Sequence, residues 1–410
     1  MNLEIEISPK LAEQYADMLS LDFRRRSSLL NSWSHYTNDL VLWDKRLQTY
    51  IEGLKYLRQN ARKYLDGWTD SLLTRGDVFA LGTFAFHTED AQLLENSLSL
   101  MLAVPHLTGV MKSVIAWAPS TSMLWERAFS SPTIRVMATC IRHDLPKAPE
   151  LTANEISILM SSPAAIPGLI RALHHQQHPD YHSIILPLTE AKDPQIRLEA
   201  LTTILTHHLP CRDLAPEKKL VGLLAAISKD TLRHQIMQLY LCNTHASPEH
   251  LLTWIEENEP DKRLYLTALG YSGRPANIDI LKEFLDKPEY ARLAAAAIVM
   301  ITGAGPESAG WQRESAPPDI APPGSDPDSA QSWPDKSAFE RWWKSHSSQL
   351  NTSEVYVAGL PATKEGLQHV LQHGCLALHP LAKSRLCHLT RMPLNEYFAP
   401  TFTGIHQYTR

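Results

Sequence analysis

The chain of 410 residues is poor in the features that mark secreted, redox and membrane proteins. Its five cysteines, Cys140, Cys211, Cys242, Cys375 and Cys387, form no Cys-x-x-Cys pair, and an odd number does not suggest a full disulfide framework. No apolar stretch approaches the length of a membrane helix, which needs about eighteen residues. The acidic N-terminus lacks the basic start and the apolar run of a secretory signal. We therefore expect a protein of a reducing compartment, cytoplasmic and without a membrane partner.

An excess of one charge is also lacking. Lysine and arginine together number 39 against 44 acidic residues, and the formal net charge of -5 at pH 7 creates no field that attracts a polyanion. No nucleic-acid partner is expected. The run Arg24-Arg25-Arg26 could grip an acidic partner, but it is more typical of a solvated helix face.

Catalytic signatures are missing as well. The chain contains no G-x-S-x-G, no phosphate-binding G-x-x-x-x-G-K-[ST] and no G-x-G-x-x-G. None of the 19 histidines is followed by glutamate, as the di-iron hydroxylases built of HEAT repeats would require. Trp117, Trp125 and Asp144 could be imagined in a DNA glycosylase, yet tryptophan at helical spacing usually belongs to the core. We predict no enzyme and no cofactor.

The histidines raise a metal hypothesis. His174 and His178 are four positions apart and could share a helical face with His182 nearby, but Pro179 favours a helix end between them. His207 and Cys211 have the same spacing, also interrupted by proline. We predict solvated loop histidines, and a metal site is the alternative.

What the chain does have is a helix-start signal that recurs about every thirty residues. Asp or Ser can cap a starting helix and Pro fits its first position, so each signal indicates the second helix of a pair. The signals stand at Asp77, Pro105, Pro132, Pro163, Pro194, Asp230, Asp261 and Pro288. With 44% hydrophobic residues and little strand-like alternation, the sequence predicts an all-α fold, an α-solenoid of HEAT-like helix pairs with atypical helical caps at both ends.

The composition divides the chain into four parts. Residues 1–75 form an N-terminal helical cap, residues 76–303 the repeats, and residues 337–410 a C-terminal repeat that caps the far end. Residues 304–336 are rich in Pro, Ser and Asp and are predicted to be a linker or loop. The alternative for this segment is partner binding through Trp311 or Trp333.

Two repeats resemble known HEAT repeats. In DPQIRLEAL, Asp193 and Arg197 match the Asp and Arg positions that form a polar ladder between HEAT units. Arg135 and Arg292 match the Arg position approximately, whereas Ile166 takes it after Pro163. The resemblance implies stacked helices but a less regular ladder.

A narrower resemblance covers most of the chain. The segments FRRRSSLLNSWSHYTNDLVLWDKRLQTYIEGLKYL, GDVFALGTFAFHTED and FERWWKSHSSQLNTSEVYVAGLPATKEGLQHVLQHG are similar to a bacterial HEAT-repeat family whose genes commonly lie among type VI secretion genes. The family's motif helix corresponds here to Leu42, Asp44, Arg46, Leu47, Ile51, Gly53 and Leu54. No catalytic residues transfer from this resemblance.

These features favour a non-enzymatic scaffold that binds another protein. The resemblance implies an adaptor or accessory factor for a type VI secretion effector, or alternatively an immunity protein against a cognate toxin. An enzyme on a HEAT scaffold is the alternative of a different class. Arginine often anchors interfaces, so we predict Arg135, Arg197, Arg233 and Arg292 as partner-binding residues.

Overall fold

The computed structural model confirms the all-α fold. It describes residues 4–30, 32–70, 73–104, 107–141, 145–163, 165–175, 178, 180–206, 214–243, 247–259, 262–314, 328 and 331–390. The helices of these residues are α1 (Glu4–Leu29), α2 (Thr37–Tyr56), α3 (Arg58–Asp66), α4 (Arg75–Thr88), α5 (Ala91–Ala103), α6 (Thr108–Trp117), α7 (Leu124–Ala128), α8 (Pro132–Ile141), α9 (Ala153–Met160), α10 (Ile166–His175), α11 (Tyr181–Leu188), α12 (Pro194–Thr206), α13 (Pro216–Ala226), α14 (Asp230–Asn243), α15 (Pro248–Asn258), α16 (Lys262–Ser272), α17 (Ile278–Leu281), α18 (Ala291–Thr302), α19 (Lys336–His346), α20 (Lys364–His373) and α21 (His379–Thr390). Strands β1 (Tyr356–Val357) and β2 (Leu360–Pro361) form a short antiparallel pair.

The chain divides into two compact units, each with its own hydrophobic core. Unit 1 contains the described residues of 1–30 and 38–188, and unit 2 those of 31–37 and 189–394. The core of unit 1 is formed mainly by α1 to α8, whereas that of unit 2 extends from α12 to Tyr356. This division differs from the predicted boundaries at 75 and 303.

Several helices begin at the predicted signals because local caps fix them there. Thr74 and Asp77 form a capping box at the start of α4, and the Asp193 carboxylate accepts hydrogen bonds from the backbone N–H groups of Gln195 and Ile196 at 2.7 and 3.4 Å. α8, α12 and α14 begin at Pro132, Pro194 and Asp230. α10 and α18 begin three residues after Pro163 and Pro288, and Pro105 and Asp261 lie outside the described residues.

The second helices of the pairs contact one another in chain order within each unit. In unit 1 the row is α4, α6, α8 and α10, and in unit 2 it is α12, α14, α16 and α18. Such rows are what stacked helix pairs require. The HEAT-type solenoid itself stays a prediction.

Buried ion pairs link α1 to α2 in unit 1. Arg26 donates to Asp44, and both side chains are buried; Asp22, also buried, pairs with Arg46 at 2.8 Å. A Cβ on Gly53 would lie 2.3 Å from the ring of Tyr15. The motif residues Asp44, Arg46 and Gly53 therefore hold α2 against α1. The prediction that residues 24–26 form a solvated helix face is wrong for Arg26, whose side chain is buried. It holds for Arg24 and Arg25, which are exposed.

The last helix folds back along the row of unit 2. α21 packs on α20, α14 and α12, where Ser384 accepts a hydrogen bond from Asn243 at 3.0 Å. The buried Arg385 donates to the carbonyl oxygens of Tyr271 and Ser272 at 2.6 and 3.0 Å and so satisfies the C-terminal end of α16. The sequence predicts that the C-terminal region caps the row beyond α18, whereas α21 packs along the row.

The described part of segment 304–336 packs against unit 2. Trp311 is fully buried and makes an edge contact with Phe339, with ring centroids 5.1 Å apart. Backbone hydrogen bonds from Asp335 to Trp311 and from Arg313 to Trp333 close the segment on itself at 2.7 and 2.8 Å. The aromatic side chains anchor a segment whose composition alone indicated a linker. Trp311 is core, which contradicts the alternative that it binds a partner.

Candidate functional site

Two of the four predicted arginines, Arg135 and Arg233, form ion pairs within the chain. Arg135, buried on α8, pairs with Glu155 of α9 and donates to the carbonyl oxygens of Pro149 and Glu150, both at 3.4 Å. Arg233 on α14 pairs with Glu259 after α15. A binding role for Arg135 and Arg233 stays a prediction, while their geometry gives them an intramolecular role.

Arg263 shows that these contacts form a series. It donates to the carbonyl oxygen of Glu289 at 3.3 Å and pairs with Asp328 at 2.7 Å. Its acceptor Glu289 lies 26 positions further along the chain, the same separation as between Arg233 and Glu259. Arginines of α8, α14 and α16 thus each join a second helix to the following part of the chain. Sequence reasoning missed Arg263, because it searched the position three residues after the helix-start proline.

Arg197 occupies the corresponding position on α12, where its side chain is half-buried. Asp193 caps the start of the same helix, and the polar ladder between neighbouring units stays a prediction. The partner-binding role of Arg197 stays a prediction.

Arg292 differs from the other predicted arginines because it lines a cavity of about 540 Å³ in unit 2. Its guanidinium carbon lies 4.3 Å from the centroid of the Trp333 ring, a cation–π contact that fixes the plane of the group. Burial lowers the pKa of Arg292, and the nearby Asp328 carboxylate opposes that shift. An arginine remains cationic at any physiological pH, so the cavity holds a permanent positive charge.

The walls of this cavity combine small, apolar and basic side chains. Ala295, Ala296 and Val299 of α18 contribute small and apolar side chains to the lining. α20 contributes His369 and His373, whose rings lie 4.5 Å apart and which are both exposed.

Aromatic rings and an acid also line the cavity. Trp33 and Tyr36 come from the segment that precedes α2, and Tyr36 is 48% exposed. This segment is held by backbone hydrogen bonds from Leu376 to His35 and from Ala377 to Ser32, at 2.9 and 3.0 Å. Glu307 is the acidic side chain among the described lining residues, and it accepts a hydrogen bond from Ser332 at 2.6 Å.

A second cavity, of about 230 Å³, adjoins the first. Trp33 and Leu378 line both cavities. The remaining lining of the smaller one is mainly apolar and includes Tyr271, Met300 and Leu381. Together the two cavities offer a basic compartment beside an apolar one.

The thiol of Cys375 lines the larger cavity. Burial raises the pKa of Cys375, whereas a reactive cysteine needs a lowered pKa. Cys140 is buried in unit 1, as a small apolar side chain would be, and its Sγ lies 3.5 Å from the carbonyl oxygen of Gly168.

Only some of the remaining candidates from the sequence lie among the described residues. Nδ1 of His178 accepts a hydrogen bond from the backbone N–H of Asp180 at 3.2 Å, while the His174 side chain and all of His207, Cys211 and Asp144 lie outside the described residues. Trp117 and Trp125 are core residues of unit 1. Among the described residues, no group of three or more His, Cys, Asp and Glu side chains could hold a metal ion, and no helix is long and apolar enough to cross a bilayer.

Comparison of the chain with family models, curated proteins and solved structures found no match.

Sequence reasoning found one cavity residue, Arg292, and missed the aromatic and histidine residues around it. The lining comes from four separate parts of the chain: the 32–37 segment, α18 with the loop after it, residues 331–332, and residues 358–378. The i, i+4 spacing of His369 and His373 on α20 was the one local signal available.

Proposed function

We propose that this chain is a non-enzymatic helical-repeat scaffold that binds another protein, as a cytoplasmic adaptor or accessory factor for a type VI secretion effector. The observation that carries the proposal is the cavity of unit 2, whose lining combines an arginine stacked on Trp333 with Trp33 and Tyr36. Arginine and large aromatic side chains carry most of the binding free energy at protein interfaces.

The distribution of polar groups also supports a binding role. Arg135 and Arg233, outside the cavity, pair with Glu155 and Glu259 and join helix pairs. Arg292 lines the cavity, where it stacks on Trp333. The secretion-related role is supported by the resemblance of the N-terminal, early and late segments to the HEAT-repeat family of type VI gene clusters.

The test is affinity purification of the full chain from native cells, followed by mass spectrometry. We expect a protein encoded near type VI secretion genes to copurify, and we expect a Val299→Trp variant, which fills the cavity, to lose it. Absence of any copurifying protein would contradict the scaffold role.

Deletion of the gene separates an adaptor from an immunity protein. An adaptor predicts loss of effector export with normal survival among sister cells. Death on contact with sister cells would instead identify an immunity protein. Turnover of a substrate by the purified chain, lost in cavity variants, would favour an enzyme.

A further inference from the structure

We propose that His369 and His373 together bind a divalent transition-metal ion, with zinc as the best match, in the lining of the larger cavity of unit 2. The two imidazoles supply two ligands of the ion, and water supplies the others. This site does not depend on the proposed protein-binding function, so each can fail without the other.

The two histidines share one exposed face of α20. Thr363 caps the start of this helix. The side chains that α20 buries are those of Leu367, Val370 and Leu371. His369 and His373 are exposed and stand four positions apart. Residues at this spacing are neighbours on a helix surface, and a pair of histidines at i and i+4 can bind zinc from one helix face.

The two rings stand close to the separation that one ion requires. Their centroids are 4.5 Å apart and their planes are inclined by 47°. Zinc binds a histidine nitrogen at about 2.0–2.1 Å, so two nitrogens on the same ion lie roughly 3 Å apart. Because both side chains are exposed, their rings can turn about the side-chain torsions until one nitrogen of each faces the ion. The backbone of α20 thus already places the pair for chelation.

The end of α20 favours a cation at this place. His373 is the last residue of α20, and the C-terminal end of a helix carries a partial negative charge that stabilises cations. Arg292 adds a positive charge to the lining of the cavity, and the Asp328 carboxylate acts on it as a counter-charge. Glu307 adds a negative charge to the same lining. Charges of both signs are therefore present, and they do not exclude a divalent ion.

The type of ligand selects the metal. Imidazole nitrogen suits zinc, nickel and copper, whereas magnesium and calcium take oxygen ligands. Among the described residues, no third His, Cys, Asp or Glu side chain joins the pair into a larger metal-binding group. A site with two protein ligands is open, and its remaining positions are available to water or to another small ligand.

Chemical modification of individual histidines tests the site in the full chain. The protein, purified without a His-tag and freed of metal by a chelator, is treated with diethyl pyrocarbonate, which acylates free imidazole nitrogens, over a series of zinc concentrations. Peptide mass spectrometry then measures the modification of each histidine. We expect zinc to protect His369 and His373 with the same midpoint, and magnesium at equal concentration to protect neither. His250, an exposed histidine of α15 with no histidine three or four positions away, should be modified equally throughout.

A substitution measures the contribution of the second imidazole. Two ligands held on one helix raise each other's effective concentration, so His373→Gln should raise the zinc midpoint for the protection of His369 by about tenfold or more. His250→Gln should leave that midpoint unchanged. Both substituted positions are exposed, and circular dichroism checks that each variant remains folded.

Three results would overturn the inference: modification of His369 and His373 that zinc does not change, equal protection of His250, or an unchanged midpoint for His369 in folded His373→Gln. The first would mean that the two rings only contact each other, and the others would mean that zinc binds single histidines. Capture of a partner by the full chain is a separate measurement, and it tests the proposed function alone.

Discussion

Several arginines of this chain are buried, and their partners show what role they have. An unpaired charge inside a protein costs several kcal/mol, so a buried guanidinium needs an acceptor. Arg26 has Asp44, Arg135 has Glu155, and Arg385 has the free carbonyl oxygens of α16. An arginine pattern that suggests a binding face in the sequence can therefore be a packing pattern.

The pair between Arg26 and Asp44 gives the sharpest test at this scale. Asp44→Asn leaves the Arg26 charge buried without its counter-charge, and we expect the free energy of unfolding to fall by about 3–5 kcal/mol. The measurement is urea denaturation followed by circular dichroism. Arg25→Met, which removes an exposed arginine 3.5 Å from Asp22, should cost at most about 1 kcal/mol.

A double substitution distinguishes the ion pair from general damage to the contact between α1 and α2. Replacing Arg26 by Met and Asp44 by Leu removes both charges, and most of the lost stability should return. A double variant as unstable as Asp44→Asn would mean that packing, and not the buried charge, is responsible.

The buried His379 predicts a dependence of stability on pH. Burial lowers the pKa of His379 to about 4 from the 6.5 of an exposed histidine, and the charge of nearby Lys383 acts in the same direction. Below pH 6.5 the unfolded chain therefore binds a proton that the folded chain refuses. The stabilisation is fully present above pH 6.5 and is lost progressively toward pH 4, by an amount on the order of 3 kcal/mol.

Substitution isolates this contribution from other titrating groups. His379→Gln should make the fall in unfolding free energy between pH 6.5 and pH 4 shallower than in the wild type. His250→Gln, at an exposed position of α15, should leave the slope unchanged. Parallel curves for the wild type and His379→Gln would show that His379 does not titrate in this window.

At the scale of helices, the sequence predicts where a helix begins better than where it packs. Pro132, Pro194 and Asp230 begin helices because capping and proline geometry act within one turn. The position of α21 on α14 depends on Arg385 finding carbonyl oxygens more than a hundred residues earlier, and no local pattern encodes that contact. The same holds for the cavity. Arg292 could be predicted from its repeat position, whereas its place in one lining with Trp33 and His369 could not.

The close contact between α16 and α18 has a matched test. A Cβ on Gly270 would lie 2.9 Å from Cα of Ala297 and 2.8 Å from the Met300 sulfur, so the two helices would have to separate. We expect Gly270→Ala to lower the free energy of unfolding by about 1–3 kcal/mol, the usual cost of overpacking.

Gly222 on α13 provides the control. No atom lies within 4 Å of a Cβ built there, so Gly222→Ala should gain up to about 1 kcal/mol from helix propensity alone. Urea denaturation measures both variants. Stabilisation of both would show that α16 and α18 move apart without cost.

At the scale of the whole molecule, each unit has its own core and the charges nearly cancel. The net charge of -5 gives the chain no overall positive field, and Arg135 in unit 1 and Arg233 in unit 2 are committed to internal ion pairs. We therefore expect the proposed partner to be recognised at a local site and not through a long-range field. This conclusion fits a scaffold for a particular protein better than a general polyanion binder.

The same electrostatics predict the response to nucleic acid. Because the net charge of -5 creates no field that attracts a polyanion, we expect no mobility shift with random-sequence duplex DNA or single-stranded RNA at about 150 mM salt. Arg24 and Arg25 are the exposed members of the most basic run, so the Arg24→Gln, Arg25→Gln double variant is the matched comparison. A shift that weakens with salt and disappears in this variant would contradict the prediction and assign phosphate contacts to α1.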